Sequence, residues 1–304
     1  MKMATILRTP AAKLGAYALV LAAVLGGGAV VGATIGPDPS PLSAHGGHGP
    51  STESATAPLD GVAVSHDGFT LRLDSATVAA NVPAPLRFVV TGPDGRPVTA
   101  YDVEHEKELH LIVVSRDLGT YAHLHPARDA AGTWAVTGPA LAPGSYRVYA
   151  DFVPTGHDGM TLAADLAVAG SFTPQPLPAP SPSDQVDGYT VSMEGGLVAG
   201  ADSTITVTVR RDGEPVTDLQ PYLGALGHLV TIRDGDLAYL HVHPLDPVDG
   251  PGGPSVRFAV DVPSAGTYGL FFDFSHGGAV HTASVIADAT ATADVPAADD
   301  HHAD

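Results

Sequence analysis

The 304-residue chain contains no cysteine, and that absence removes several chemistries at once. A disulfide framework, an iron–sulfur cluster, a thiolate metal site and a cysteine nucleophile are all excluded. Lysine is almost as scarce, with Lys2, Lys13 and Lys107 the only three. Acids outnumber bases, and the formal net charge is −19. Lys2, Arg8 and Lys13 precede every acidic residue, so from Leu14 onward eleven basic residues stand against 33 acidic ones. Such a surface repels phosphate backbones, which argues against nucleic acid as a partner. No G-x-S-x-G elbow, H-E-x-x-H, P-loop or dinucleotide-binding glycine pattern occurs. Aromatic residues make up only 6%, and no long amphipathic helix pattern follows residue 36.

What is present is glycine (35), proline (27) and histidine (15), with 44% hydrophobic residues. That mixture favours short strands and frequent turns around real cores, within a length that suits two domains. Residues 1–13 form a basic cytoplasmic lead. Residues 14–36 are uncharged and long enough, as a helix, to span a bilayer. The expectation is a single-pass membrane anchor with everything beyond it outside the cytoplasm. A cleaved signal peptide, cut near Val31-Gly32-Ala33, is the alternative and would give a secreted protein. Residues 37–60 read as a flexible linker, residues 174–185 as a Pro-rich spacer, and residues 292–304 as a disordered acidic and histidine-bearing tail.

The segments 61–173 and 186–291 repeat one another. DGFTLRLDSATV (67–78) matches DGYTVSMEGGLV (187–198), and LRFVVTGPDGRPVT (86–99) matches ITVTVRRDGEPVT (205–217). HLIVVSRDLGTYAHLHP (110–126) aligns without a gap to HLVTIRDGDLAYLHVHP (228–244). PGSYRVYADF (143–152) aligns to AGTYGLFFDF (265–274). About seven short strands are expected in each copy. The fold class is all-β: two tandem antiparallel β-sandwich domains, immunoglobulin-like or cupredoxin-like, after an N-terminal transmembrane helix.

The histidines carry the chemical signal. His110, His123 and His125 are spaced H-x12-H-x-H, and His228, His241 and His243 repeat that spacing. Strand alternation puts His123 and His125 on one side, and likewise His241 and His243. An even-numbered turn at 116–119, or at 233–236, brings His110 opposite His123 or His125 on that same side. Leu109, Leu111, Val113, Ala122 and Leu124 then face the sandwich core, while Ile112, Val114 and Tyr121 share the histidine face. Three imidazoles so placed suit a divalent transition metal, Cu(II) or Zn(II). Asp151 and His157 in the first copy, and Asp273, His276 and His281 in the second, are additional candidate ligands. The competing reading of Asp151 and Asp273 is that they cap turns at strand ends. His105 is expected on the surface. Structural histidines, or histidines lining the contact between the two domains, form the alternative to metal binding. No catalysis is expected, although three histidines and a water also describe a zinc-dependent hydrolase.

At LGALGHLVTIRDGDLAYLHVHP (223–244) and YGLFFDF (268–274) the chain resembles actinobacterial exported or membrane-anchored proteins of the heavy-metal-binding-domain type. The resemblance is strongest over 222–287 and weaker in the first copy. It implies a β-sandwich at the cell envelope associated with metal, copper above all. A distant likeness to periplasmic copper chaperones of cupredoxin-like fold rests on His110, His123, His125 and their repeat mates. The methionines those chaperones use for Cu(I) are absent, which departs from their pattern. The expected function is therefore envelope metal buffering, delivery or sensing. The expected partners are the membrane, through the anchor, the metal ion and an envelope protein. A non-catalytic interaction module is the runner-up.

Overall fold

A computed structural model describes residues 61–240, 242–248 and 250–291. The expected anchor at 14–36, the linker at 37–60, the tail at 292–304 and the candidate ligand His241 lie outside the described residues. Among the described residues there is no helix, and each repeat is built from eleven strands rather than seven. The difference comes from two-residue pieces such as Ser65–His66 and Thr77–Val78, too short to leave a period in the sequence.

Alternation explains the longer strands. Asp202–Arg211 places Ser203, Ile205, Val207 and Val209 inward between exposed or half-exposed neighbours. The Asp-Gly pairs close hairpins: Asp67 and Gly68 have φ of 48° and 82°, and Asp187 and Gly188 have 50° and 83°. Both central residues of a tight hairpin turn need positive φ, and this pair tolerates it. In the first repeat one sheet runs Ser65–His66, Phe69–Leu73, Pro83–Thr91, Thr133–Ala140, Ala127–Arg128. The other runs Thr77–Val78, Met160–Val168, Gly144–Pro154, Leu109–Ser115, Tyr121–Leu124, with Tyr101–Asp102 joining Gly144–Pro154. The second repeat keeps the main strand order, but its extra strand, Glu214–Pro215, joins Asp202–Arg211 in the other sheet, and its first strand starts at Ser183, inside the stretch read as spacer.

Between the sheets of repeat one lie Leu109, Leu111, Val113, Phe88, Trp134 and Phe152, with Ala122 and Leu124 packed alongside. The equivalent core of repeat two holds Leu229, Leu270, Phe258, Phe272 and Phe274. The core face read from the sequence is the one observed.

A third apolar layer joins the repeats. Ile112, Val114, Leu118, Tyr149 and Ala163 of the first pack with Val230, Ile232, Leu237, Tyr239 and Phe271 of the second. These residues alternate with the sandwich-core residues on the same strands, so each histidine-bearing sheet is buried on both faces. Tyr121 stacks on Phe271 with ring centroids 4.4 Å apart, and its mate Tyr239 tilts against Tyr149 at 5.6 Å. Such pairs contribute roughly 0.5–1.5 kcal/mol each beyond area burial. Tyr149 also donates its hydroxyl to the Leu237 carbonyl at 2.8 Å. Leu177 of the proline-rich stretch packs against the same layer.

Candidate metal centre between the repeats

The first-repeat hairpin has the register the even-numbered turn demands. Leu111 pairs with Leu124, Ile112 with His123, Val113 with Ala122 and Val114 with Tyr121. His110, one step further, pairs on its other side with Asp151. The histidine face therefore turns away from the sandwich core and toward the second repeat. There His110, His123 and His125 converge, one ligand nitrogen of each lying within 4.8 Å of the others.

The nitrogens can be assigned by their partners. His110 Nε2 lies 3.2 Å from the Glu104 carbonyl. A carbonyl only accepts, so Nε2 carries the proton and Nδ1 the lone pair. His123 Nδ1 lies 2.9 Å from a carboxylate oxygen of Asp273, so Nδ1 donates and the neutral ring has its lone pair on Nε2. His110 Nδ1 and His123 Nε2 are themselves 3.0 Å apart. Two lone pairs thus point at each other in a largely dry site unless a cation or an extra proton joins them. His125 Nε2 is buried with no hydrogen-bond partner. Burial, reinforced by the neighbouring His123 ring, pushes His110 down to about 3 and His125 down to about 4. Both rings are neutral at pH 7 and offer lone pairs.

Asp273 comes from the second repeat. Its carboxylate also accepts from the Tyr121 hydroxyl at 3.2 Å and from Thr282 at 2.5 Å, and its side chain is 2% exposed. Burial and that carboxylate hold the Tyr121 hydroxyl well above the usual tyrosine range, so it remains a donor. The repeat mates make the reciprocal contact: Tyr239 donates to Asp151 at 3.4 Å, and Thr161 donates to it at 3.1 Å. Asp151 and Asp273 therefore do not cap turns. Both sit inside long strands, Gly144–Pro154 and Gly266–His276, on the face between the repeats. Asp273 serves the triad of the other copy, a pairing that local spacing could not reveal.

The second repeat diverges. His228 keeps its place, with Nε2 donating to the Tyr222 carbonyl at 2.9 Å as His110 does to Glu104. Burial pushes it down to about 4. After Leu240, however, the chain crosses to the opposite sheet, where Val242–Pro244 pairs with Ser255–Asp261 and His243 stands beside Ala259. His243 is exposed there, so the expected pairing of His228 with His243 across a hairpin is not made. His157 packs edge-on to Phe69, away from the triad. His276 bridges the Tyr189 hydroxyl and Asp218, while His281 meets Asp187. These three do not join the triad. His105 is exposed, as expected, yet its ring lies 6.1 Å from that of His110 and 5.2 Å from that of His228. Among the described residues, His110, His123 and His125 are the one group of three or more such side chains with metal-ligand spacing.

No curated protein matches. Among solved structures, the fibronectin(III)-like modules of Clostridium thermocellum CbhA are 12% identical, covering 74% of this chain and 97% of theirs, with a TM-score of 0.21. The Escherichia coli adhesin FdeC is 14% identical over 75% of this chain and 66% of its own, with a TM-score of 0.25. Domains 4 and 5 of the S-layer protein SbsC are 11% identical over 51% and 69%, at 0.22. Residues 63–170 and 184–291 each match one family model, and the chain belongs to that family, the domain of unknown function DUF8832, in two copies.

Proposed function

We propose that this is a non-catalytic, envelope-exported metal-binding protein whose His110, His123 and His125 hold a divalent transition ion, Cu(II) or Zn(II), for buffering, delivery or sensing. The observation that carries the reading is the 3.0 Å approach of His110 Nδ1 to His123 Nε2. Two nitrogens bound to one ion at about 2.0–2.1 Å stand roughly 2.9–3.4 Å apart for angles between about 90° and 110°. The outer nitrogens already engage a backbone carbonyl and a carboxylate, the partners that metal-bound imidazoles ordinarily have. Export is carried by the uncharged stretch 14–36 behind three basic residues, and immunoglobulin-like architecture by the two-sheet plan of each repeat.

The same contact favours one competing reading. A proton shared between the two rings would make His123 an imidazolium paired with buried Asp273, and the cluster a fastener between repeats in an interaction module. Titration of the full-length chain with Cu(II) and Zn(II) separates the two. The metal reading expects micromolar or tighter binding that is lost in the His123→Ala, His125→Ala double variant. Binding unchanged by that variant sinks it.

A further inference from the structure

The turn Glu104–Lys107 stands beside the cluster. Glu104 and Lys107 exchange both backbone hydrogen bonds, at 2.9 and 3.0 Å, around His105 and Glu106. These two central residues have φ of 47° and 64°. That left-handed conformation suits Asn-Gly and is costly for a histidine and a glutamate. The repeat mate, Tyr222–Ala225, makes the same turn with Leu223 at 52° and Gly224 at 75°, so there glycine relieves half of the strain. What the strained turn achieves in the first repeat is placement of an imidazole. The His105 ring is edge-on to His228 of the second repeat, with centroids 5.2 Å apart. His228 donates through Nε2 to the Tyr222 carbonyl, which leaves Nδ1 as a lone pair. His105 and His228 line one pocket together with His110, His123 and Asp151.

We propose that His105 and His228, one from each repeat, form a second divalent transition-metal site at the mouth of this pocket, adjoining the triad and completed by solvent. Imidazole pairs with open positions take Zn(II) and Cu(II), and both rings line the pocket that His110 and His123 also line. The proposal rests on reading the pocket as metal-binding but uses none of the triad's ligands, so the two can fail separately.

The test uses the full-length chain with His45, His48, His301 and His302 changed to alanine to remove background. Zn(II) stoichiometry is read by native mass spectrometry and calorimetry. The expected result is two ions. The His105→Asn, His228→Gln variant, whose Asn keeps the left-handed turn, should retain one ion. The His110→Ala, His123→Ala, His125→Ala variant should also retain one, removed by adding the first pair of changes. Thermal unfolding checks that each variant is folded, and Cu(II) in the parent should give an electron paramagnetic resonance spectrum broadened by a neighbouring ion. One ion in the parent that the His105→Asn, His228→Gln changes leave in place, or two ions in that variant, overturns the proposal. A triad variant that still binds two ions overturns the triad reading instead.

Discussion

His123 and Asp273 lie 150 residues apart in sequence and 2.9 Å apart in the fold. The central imidazole of the first repeat is thus oriented by a carboxylate of the second. The geometry of the histidine triad and the docking of the two repeats depend on the same contact.

Replacing that carboxylate is the most direct probe. Asp273→Asn keeps the shape but weakens the acceptor for His123, Tyr121 and Thr282. Loss of such an orienting partner typically costs about 10–100-fold in metal affinity. We expect that loss in isothermal titration, with the stoichiometry of the triad unchanged. Stability should fall by about 2 kcal/mol in urea unfolding, since hydrogen bonds to a charged group are involved.

The layer between the repeats yields a packing prediction. Phe271 is 1% exposed and stacks on Tyr121. Phe271→Ala should cost about 3–5 kcal/mol through lost burial and the cavity left behind. Tyr121→Phe keeps the stack and removes one hydrogen bond, at about 1 kcal/mol. Equal effects of the two changes in denaturant unfolding would contradict the assignment of the stack as the larger contribution.

Acid should loosen the metal-free protein. His110, His125 and His228 are held below the ordinary histidine value, chiefly by burial. Their folded-state values are depressed, so their contribution is fully present above about pH 6.5. It declines as the unfolded chain takes up protons first, down through about pH 4 to 3. By pH 5 the loss is about 2 kcal/mol for each of His110 and His228. His125, more open to solvent, contributes less after screening. A thermal unfolding midpoint that stays level between pH 7 and pH 5 would count against these buried neutral rings.

Ion uptake carries a related signature. His110 and His125 are neutral at pH 7 and have no proton to displace. Binding enthalpies measured in buffers of different ionisation heat should therefore differ by at most one proton's worth per triad ion.

Much of the site was legible in the chain. The spacing of His110, His123 and His125, with strand alternation, places them on one face, and the four-residue turn supplies the register. Leu111, Val113 and Leu124 sort to the opposite face for the same reason. Three features were not legible. Asp273 reaches His123 across a gap that no local period encodes, because it arises from packing one repeat on the other. The crossing after Leu240 separates His243 from the hairpin although its spacing copies that of His125. His105 looks like an ordinary charged-loop residue until its backbone conformation is known.

The crossed contacts, Tyr121 to Asp273 and Tyr239 to Asp151, are those of an isologous interface: each half gives what it receives. Such exchange is the signature of a two-fold homodimer. A chain carrying one copy of this domain would leave its tyrosine and aspartate unanswered and its histidine sheet bare. Self-association would answer both. In this chain the exchange is closed within one polypeptide, with the proline-rich stretch joining the two halves. Joined in one chain, the halves need not be identical: the early crossing after Leu240 and the histidine at position 105 are asymmetries that a pair of identical chains could not keep to one side.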